Sequence, residues 1–366
     1  MRVRNGRVFG PDGKFHNQDI YIENGRFAAE SRDGREFDAS GCYLIPGLTD
    51  LHFHGCMGAD FCDATPESLL RIASYEASNG IVNICPASMT LPEAQLRKVY
   101  QNAAAYQQQG GSHLVGIHME GPFFSYEKRG AQNAAYLMAP DAAMVRRLQK
   151  AADGKIKLVD VAPETEGALA FIRELKGEFR LSLAHTNADY DQAVAGFQAG
   201  ATQVTHLYNG MSGMNHRAPG VVGAALENES CFVELICDGV HVAAPMIRNT
   251  FKMFGDDRII LISDSISATG MPDGMYELGG QAVRVEGGTA IVTATGKIAG
   301  STSNLMECLR FVVKEAKIPL ESAVKCATIN PAKSLGIEDE YGSIEPGKRA
   351  QLVFLDEDLA VSAVWF

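Results

Sequence analysis

LTDLHFHG (48–55), PESLLRIASYEASNG (66–80) and GIVNICPAS (80–88) decide the fold, because together they read as strand, helix, strand. The two outer runs are short, apolar and bounded by turn residues. The middle stretch opens on Pro66 and stops at Gly80, as a helix start and stop should. The same alternation continues down the chain. Further short apolar runs are HLVGIHMEG (113–121), KIKLVDVAPE (155–164), RLSLAHTN (180–187), TQVTHLYN (202–209), CFVELICDGVH (231–241) and RIILISDS (258–265). Helical stretches lie between them, such as ADYDQAVAGFQAG, which ends at Gly200. Eight strand–helix repeats predict an α/β fold, a (β/α)8 TIM barrel over 46–335. No glycine-rich phosphate loop or dinucleotide fingerprint follows the first run, which disfavours an open doubly wound sheet.

Outward from the barrel the pattern changes. Residues 1–45 hold short β-like runs broken by Asn5-Gly6, Asp12-Gly13 and Asn24-Gly25. The last residues, YGSIEPGKRAQLVFLDEDLAVSAVWF, turn at Pro346-Gly347 and continue as a β-rich run. Neither piece is large enough to stand alone. They predict one small β-sandwich-like domain built from 1–45 and 336–366. A β-rich insertion at about 274–300, containing YELGGQAVRVEGGTAIV, is expected to add strands to that domain.

Composition bounds the function. Apolar residues make up 46% and charged residues 21%, enough to bury a large core and exclude wholesale disorder. Lys+Arg 33 against Asp+Glu 44 gives −11, which argues against nucleic acid or an anionic membrane as partner. No apolar run is long enough to span a membrane, and MRVRNGRVFGPDG has no signal-peptide stretch. The cysteines, at 42, 56, 62, 85, 231, 237, 308 and 326, form no CxxC pair and read as reduced thiols. A soluble cytoplasmic protein is expected.

The polar residues carry the chemistry. His52 and His54 end the first run, Glu120 the third, His185 the fifth, His206 the sixth, His241 the seventh and Asp264 the eighth. In a barrel these ends share the face on which active sites are built. Residues two apart on a strand point to one side, so His52 and His54 can reach one divalent metal. Imidazole and carboxylate without thiolate suit Zn, Fe, Mn or Co, in one or two sites. Glu120 is placed to bridge two metals or complete one. His118, on the same strand face, reads as a support for a ligand or a core residue, and His16 and His113 as structural. Asp264 suits a base that takes a proton from water and returns it to a leaving group. The loop HLYNGMSGMNHRAPG (206–220) carries Arg217, whose fork of donors matches a phosphate.

The chain resembles the amidohydrolase superfamily and, within it, the N-acetylglucosamine-6-phosphate deacetylases. The resemblance covers nearly the whole chain and rests on PGLTDLHFHG, HMEGPFF, KRGAQN, LAHTNADY, THLYNGM, HRAPG, DGVHV, SDSISATG, KIAGSTSNLM and ATINPAKSLGI. It implies metal-assisted hydrolysis of an acetamide, with Glu120, His185 and His206 as the principal metal site and His52 and His54 as a second position. It implies Asp264 as the acid/base, and Gln132, Asn209, Gly210, Arg217 and His241 as substrate contacts. It further implies a homodimer that contributes the arginine across its interface. Gly210 stands where relatives often have alanine, and SDSISATG and GSTSNLM depart from the commoner sequences, so the sugar is less firmly implied than the reaction. The galacto epimer is the nearest alternative substrate. A cyclic-amide hydrolase would need a carboxylated lysine at the end of the fourth strand, whereas Lys155 and Lys157 stand at its start. A barrel that had lost catalysis would show gaps among the ligands, and none is missing.

Overall fold

A computed structural model describes all residues 1–366. Its eight parallel strands are β1 (Leu48–Asp50), β2 (Ile81–Ile84), β3 (Ile117–Met119), β4 (Ile156–Val161), β5 (Arg180–Leu183), β6 (Gln203–Val204), β7 (Phe232–Ile236) and β8 (Ile259–Ile262). Strands β3 to β8 form one six-stranded sheet in chain order, every neighbouring pair parallel. A second sheet joins β1, β2 and the short strand His113–Leu114. Backbone contacts link the two sheets at both edges. Ala87 bridges His118 on one side, and on the other Asp264 N donates to His52 O at 3.0 Å and His54 N to Ser265 O at 2.7 Å.

These strands are runs such as Ile81-Val82-Asn83-Ile84 and Ile259-Ile260-Leu261-Ile262, buried at every position. Continuous rather than alternating hydrophobicity is what a parallel sheet covered on both faces requires. The helices that follow are α1 (Pro66–Ser78), α2 (Glu93–Ala105), α3 (Ala142–Ala151), α4 (Ala168–Leu175), α5 (Tyr190–Ala199), α6 (Gly220–Glu227), α7 (Ala244–Phe254) and α8 (Leu305–Lys314), with α9 (Leu320–Ala327) and α10 (Ile329–Leu335) closing the series. In α1, Thr65 accepts a hydrogen bond from Ser68 N, and Leu69, Ile72, Ala73 and Ala77 are buried on one face. A capping box between Asp189 and Gln192 starts α5, and one between Asn304 and Glu307 starts α8.

The two chain ends share structure. Leu352–Leu355 pairs antiparallel with Tyr43–Pro46, in a five-stranded sheet that also holds Val361–Trp365, Arg7–Phe9 and Phe15–Asn17. A four-stranded sheet of Arg26–Ala28, Ile20–Glu23, Arg2–Arg4 and Glu36–Asp38 lies with it. Val3, Val8, Ile20, Phe27, Leu44, Leu352 and Phe354 make one buried cluster that draws on both sheets.

The insertion departs from expectation. Gly274–Leu278, Gln281–Glu286 and Thr289–Val292 form an antiparallel sheet of their own and add no strand to the terminal sheets. Its buried side chains Leu278, Val283, Val285, Ala290 and Val292 pack on Met89, Ile266, Ala268 and Ala299, beside the end of β8. The alternation in 276–292 specifies strands with one apolar face. That face is satisfied locally, so the sheet roofs the strand ends.

Candidate active site

The site lies just beyond the C-terminal ends of the strands. His52 and His54 follow β1, and backbone hydrogen bonds to Asp264, Ser265 and Ala87 hold that irregular stretch extended. Phe53 between them is buried in the core, so the two imidazoles share the opposite side, as their spacing predicts. Glu120 follows β3 directly, while His185, His206 and Asp264 each stand two residues past β5, β6 and β8. Those three have φ of 43°, 32° and 50°, left-handed values that side chains other than glycine rarely adopt. Strain of this kind persists where the surroundings force it, and here it turns three side chains inward.

Four imidazoles are oriented alike. Nδ1 of His54, His185 and His206 lies 3.2, 2.9 and 3.0 Å from the carbonyl oxygens of Ala87, Lys128 and Asn209. A carbonyl only accepts, so each Nδ1 carries a hydrogen and each Nε2 is the nitrogen that takes a proton or a metal. His52 Nδ1 stands 3.0 Å from Glu234 Oε2, and Glu234 also accepts from Gln203 Nε2 at 2.6 Å. All four Nε2 atoms converge on Glu120. Its Oε1 is 3.0 Å from His185, 3.3 Å from His206 and 3.7 Å from His52, and its Oε2 is 3.5 Å from His54. Asp264 Oδ1 completes the ring, 3.2 Å from His54 and 3.7 Å from His52.

A divalent cation fits this donor set. His52 Nε2 is buried without a hydrogen-bond partner although it faces two carboxylates, the orphan a metal ligand leaves. Three groups have their ligand atoms mutually within 4.8 Å: His52, His118 and Glu234; His52, His54 and Glu120; and Glu120, His185 and His206, with Glu120 shared by the last two. The electrostatics agree. Burial works against a charge on Glu120, yet hydrogen bonds from His185 and His206 and the charges of His52 and His54 hold its carboxyl well below the usual range. Burial likewise opposes charge on His54 and His206, but Asp264 and Glu120 raise both to about 9. A metal and protons therefore compete for the same nitrogens.

Beside this centre opens a cavity of about 400 Å³, lined among others by His54, Glu120, Gln132, His185, His206, Asn209, Gly210, His241 and Asp264. Sequence reading thus collects nearly all of its candidates in one place. Arg217 is apart, exposed on the loop between β6 and α6 and absent from the cavity wall. Gly210, with φ 62°, lies so close that a Cβ there would stand 2.8 Å from His185 Nδ1. His118 is no part of the mouth. It is fully buried, with Nε2 2.9 Å from Asp160 and Nδ1 3.1 Å from Leu51 O.

Several supporting residues escape sequence reading. Glu234 and Asp160 hold His52 and His118 from inside their strands, and a carboxylate set between apolar residues in FVELI or LVDV is the signal that marks them. Asp238 Oδ2 is 2.7 Å from His241 Nδ1 and fixes that ring. Lys128 and Lys297 bring positive charge to the cavity wall.

A ring of imidazoles and carboxylates that could hold a metal, set at the strand ends of an α/β scaffold, suits a metal-dependent hydrolase, and the chain belongs to the amidohydrolase family, whose model matches residues 43–366. It is 37% identical to an N-acetylglucosamine-6-phosphate deacetylase of Vibrio furnissii over 96% of this chain and 91% of that protein. It is 35% identical to an N-acetylgalactosamine-6-phosphate deacetylase of Escherichia coli O157:H7 over 99% and 97%. A mutant N-acetyl-D-glucosamine-6-phosphate deacetylase from Mycobacterium smegmatis, solved in complex with N-acetyl-D-glucosamine-6-phosphate, superposes with a TM-score of 0.92. That pair is 33% identical and covers 100% of this chain and 97% of the other.

Proposed function

We propose that this protein hydrolyses the acetamide of N-acetylglucosamine 6-phosphate to glucosamine 6-phosphate and acetate, as a step in amino-sugar breakdown. The observation that carries the reading is the convergence of four oriented Nε2 atoms and the carboxylates of Glu120 and Asp264 at one cavity. His52, His54, Glu120, His185 and His206 would hold one or two divalent metals, of the Zn, Fe, Mn or Co kind. A metal bound there supplies a Lewis acid for the acetamide carbonyl and acidifies water. Asp264, 3.2 Å from His54, takes the proton of the attacking water and passes it to the departing amine. His241, its ring held by Asp238, lines the cavity as a contact for the substrate. Asn209, Gly210 and Gln132 line the wall that faces the sugar. Arg217 takes the phosphate in a homodimer, reaching a partner's cavity, which accords with its exposure in a single chain.

The test is acetate release by metal-replete protein from N-acetylglucosamine 6-phosphate and its galacto epimer, side by side. Preference for the gluco compound is the expected result. Preference for the epimer, as the Escherichia coli relative's name makes a specific alternative, keeps the chemistry and moves the specificity. No acetate from either overturns the proposal.

The same reading takes the parallel strands as a closed (β/α)8 barrel over 46–335 and the terminal sheets of 1–45 and 336–366 as a β-sandwich-like domain. In its support, hydrogen bonds join β8 to the stretch after β1, and one buried cluster draws on both chain ends. No helix is long and apolar enough to cross a membrane, and a cytoplasmic enzyme fits a phosphorylated substrate.

A further inference from the structure

Gln132 is 4% exposed and its side-chain amide is engaged at both ends. Nε2 donates to Glu120 Oε2 at 2.7 Å, and Oε1 accepts from the backbone N of Thr90 at 2.7 Å. The orientation of the amide is fixed by its partners. Turned over, its oxygen would face the carboxylate and its NH2 would face the Thr90 N–H, a repulsion at each end. The remaining amide hydrogen has only the Met89 sulfur near it, at 3.9 Å.

The two oxygens of Glu120 therefore differ. Oε1 has only imidazoles around it, those of His185, His206 and His52. Oε2 looks toward His54 but already accepts a strong hydrogen bond, which draws electron density from it. A cation among Glu120, His185 and His206 receives an unencumbered oxygen. One among His52, His54 and Glu120 receives the oxygen that Gln132 occupies.

We infer that Gln132 is a positioning residue for Glu120 that makes the two metal positions unequal. It presents Oε1 to the His185/His206 position and weakens the carboxylate arm of the His52/His54 position. The inference rests on the metal-site reading above and adds to it the side chain that sets which position fills first. Gln132 acts here through Glu120, a role separate from any contact with the sugar.

The test is a Co2+ titration of the chelator-stripped full-length protein, followed by visible absorption and by metal analysis of the desalted product. The unaltered protein should take one equivalent tightly before a second binds. Gln132→Met conserves volume and polarisability but has no N–H, and should narrow the ratio of the two affinities at least about tenfold, the scale at which partners of metal ligands act. Gln132→His, which keeps an N–H donor, should preserve the ratio within about threefold on the same scale. Two equal affinities in the unaltered protein, or an unchanged ratio in Gln132→Met, overturns the inference. Should the methionine variant fail to fold, as read by its heat-unfolding profile, Gln132→Leu carries the same comparison. Because the readout is metal affinity rather than acetate, failure of this inference and failure of the proposed deacetylation are distinguishable.

Discussion

Asp264 owes its position to the strand before it and to a backbone partner across the mouth. Its left-handed backbone follows the apolar run of β8, and its peptide N–H is tied to His52 O. Asp264→Asn keeps that shape and removes the proton acceptor. It should lower kcat by about 10²–10⁴, the range general acid–base groups supply, while metal content stays unchanged. A rate within tenfold of normal, by acetate release, would remove Asp264 from its role. Asp238 is the second informative residue. Burial opposes its ionisation, but the His241 hydrogen bond and the N–H groups of Val240 and His241 hold its carboxyl below the usual range. A carboxyl whose folded pKa is depressed contributes stability above its unfolded value of about 3.9 and loses it as pH falls through the folded value. The stability advantage of the native protein over Asp238→Asn should thus shrink as pH falls below about 4, in urea unfolding at stepped pH. The residues that gather at the cavity were legible as polar residues at the ends of apolar runs. Glu234, Asp160 and Asp238 were harder to see because their work is done on other side chains, and the partners of the first two come from other strands.

Elements were legible where a single pattern governed them. All eight apolar runs contain a strand, because burial on both faces demands uninterrupted hydrophobicity and turn residues mark the ends. The insertion 274–300 shows where pattern stops. Alternation specified its strands but carried no information on which surface would cover the apolar face, and neighbours brought close by β8 supplied it. The loop from His206 to Gly220 makes the opposite case, since the residues singled out in it divide in space. His206, Asn209 and Gly210 are at the cavity and Arg217 is exposed. Arg217→Ala should raise KM for the phosphorylated sugar about tenfold or more and leave kcat nearly untouched, because uniform binding is lost rather than transition-state contact. Equal activity of the unaltered protein on phosphorylated and unphosphorylated substrate would count against this loop as the phosphate grip.

At the scale of the whole molecule, charge and stability meet at the metal centre. Beneath the mouth the strands enclose a polar network rather than a dry core. Asp50 accepts from Ser263 at 2.5 Å, Asp160 from Thr205 at 2.8 Å, and Glu234 from Gln203 at 2.6 Å. Burial pushes the Asp50 carboxyl up to about 7. A ligand that binds only the folded state stabilises it by RT ln(1 + [L]/Kd), about 2.7 kcal/mol at a hundredfold excess over Kd. Chelator treatment should accordingly lower the melting temperature, and readdition of Zn2+ or Co2+ should restore it in the same calorimetric scan. An unchanged melting temperature after verified metal removal would argue against a metal coupled to folding.

The strand Tyr43–Pro46 lies between partners from residues 7–9 and 352–355 and leads directly into β1. During synthesis on the ribosome, His52, His54 and the rest of the ligand set emerge long before Leu352–Leu355 is made. The nascent chain thus carries the residues of its candidate metal site while the brace for their first strand is incomplete. Pairing across so great a separation in sequence is slow to close. A few substitutions in the distant strand Leu352–Leu355 would therefore be felt as poor yield of active enzyme from the cell, even where the purified product works at full rate.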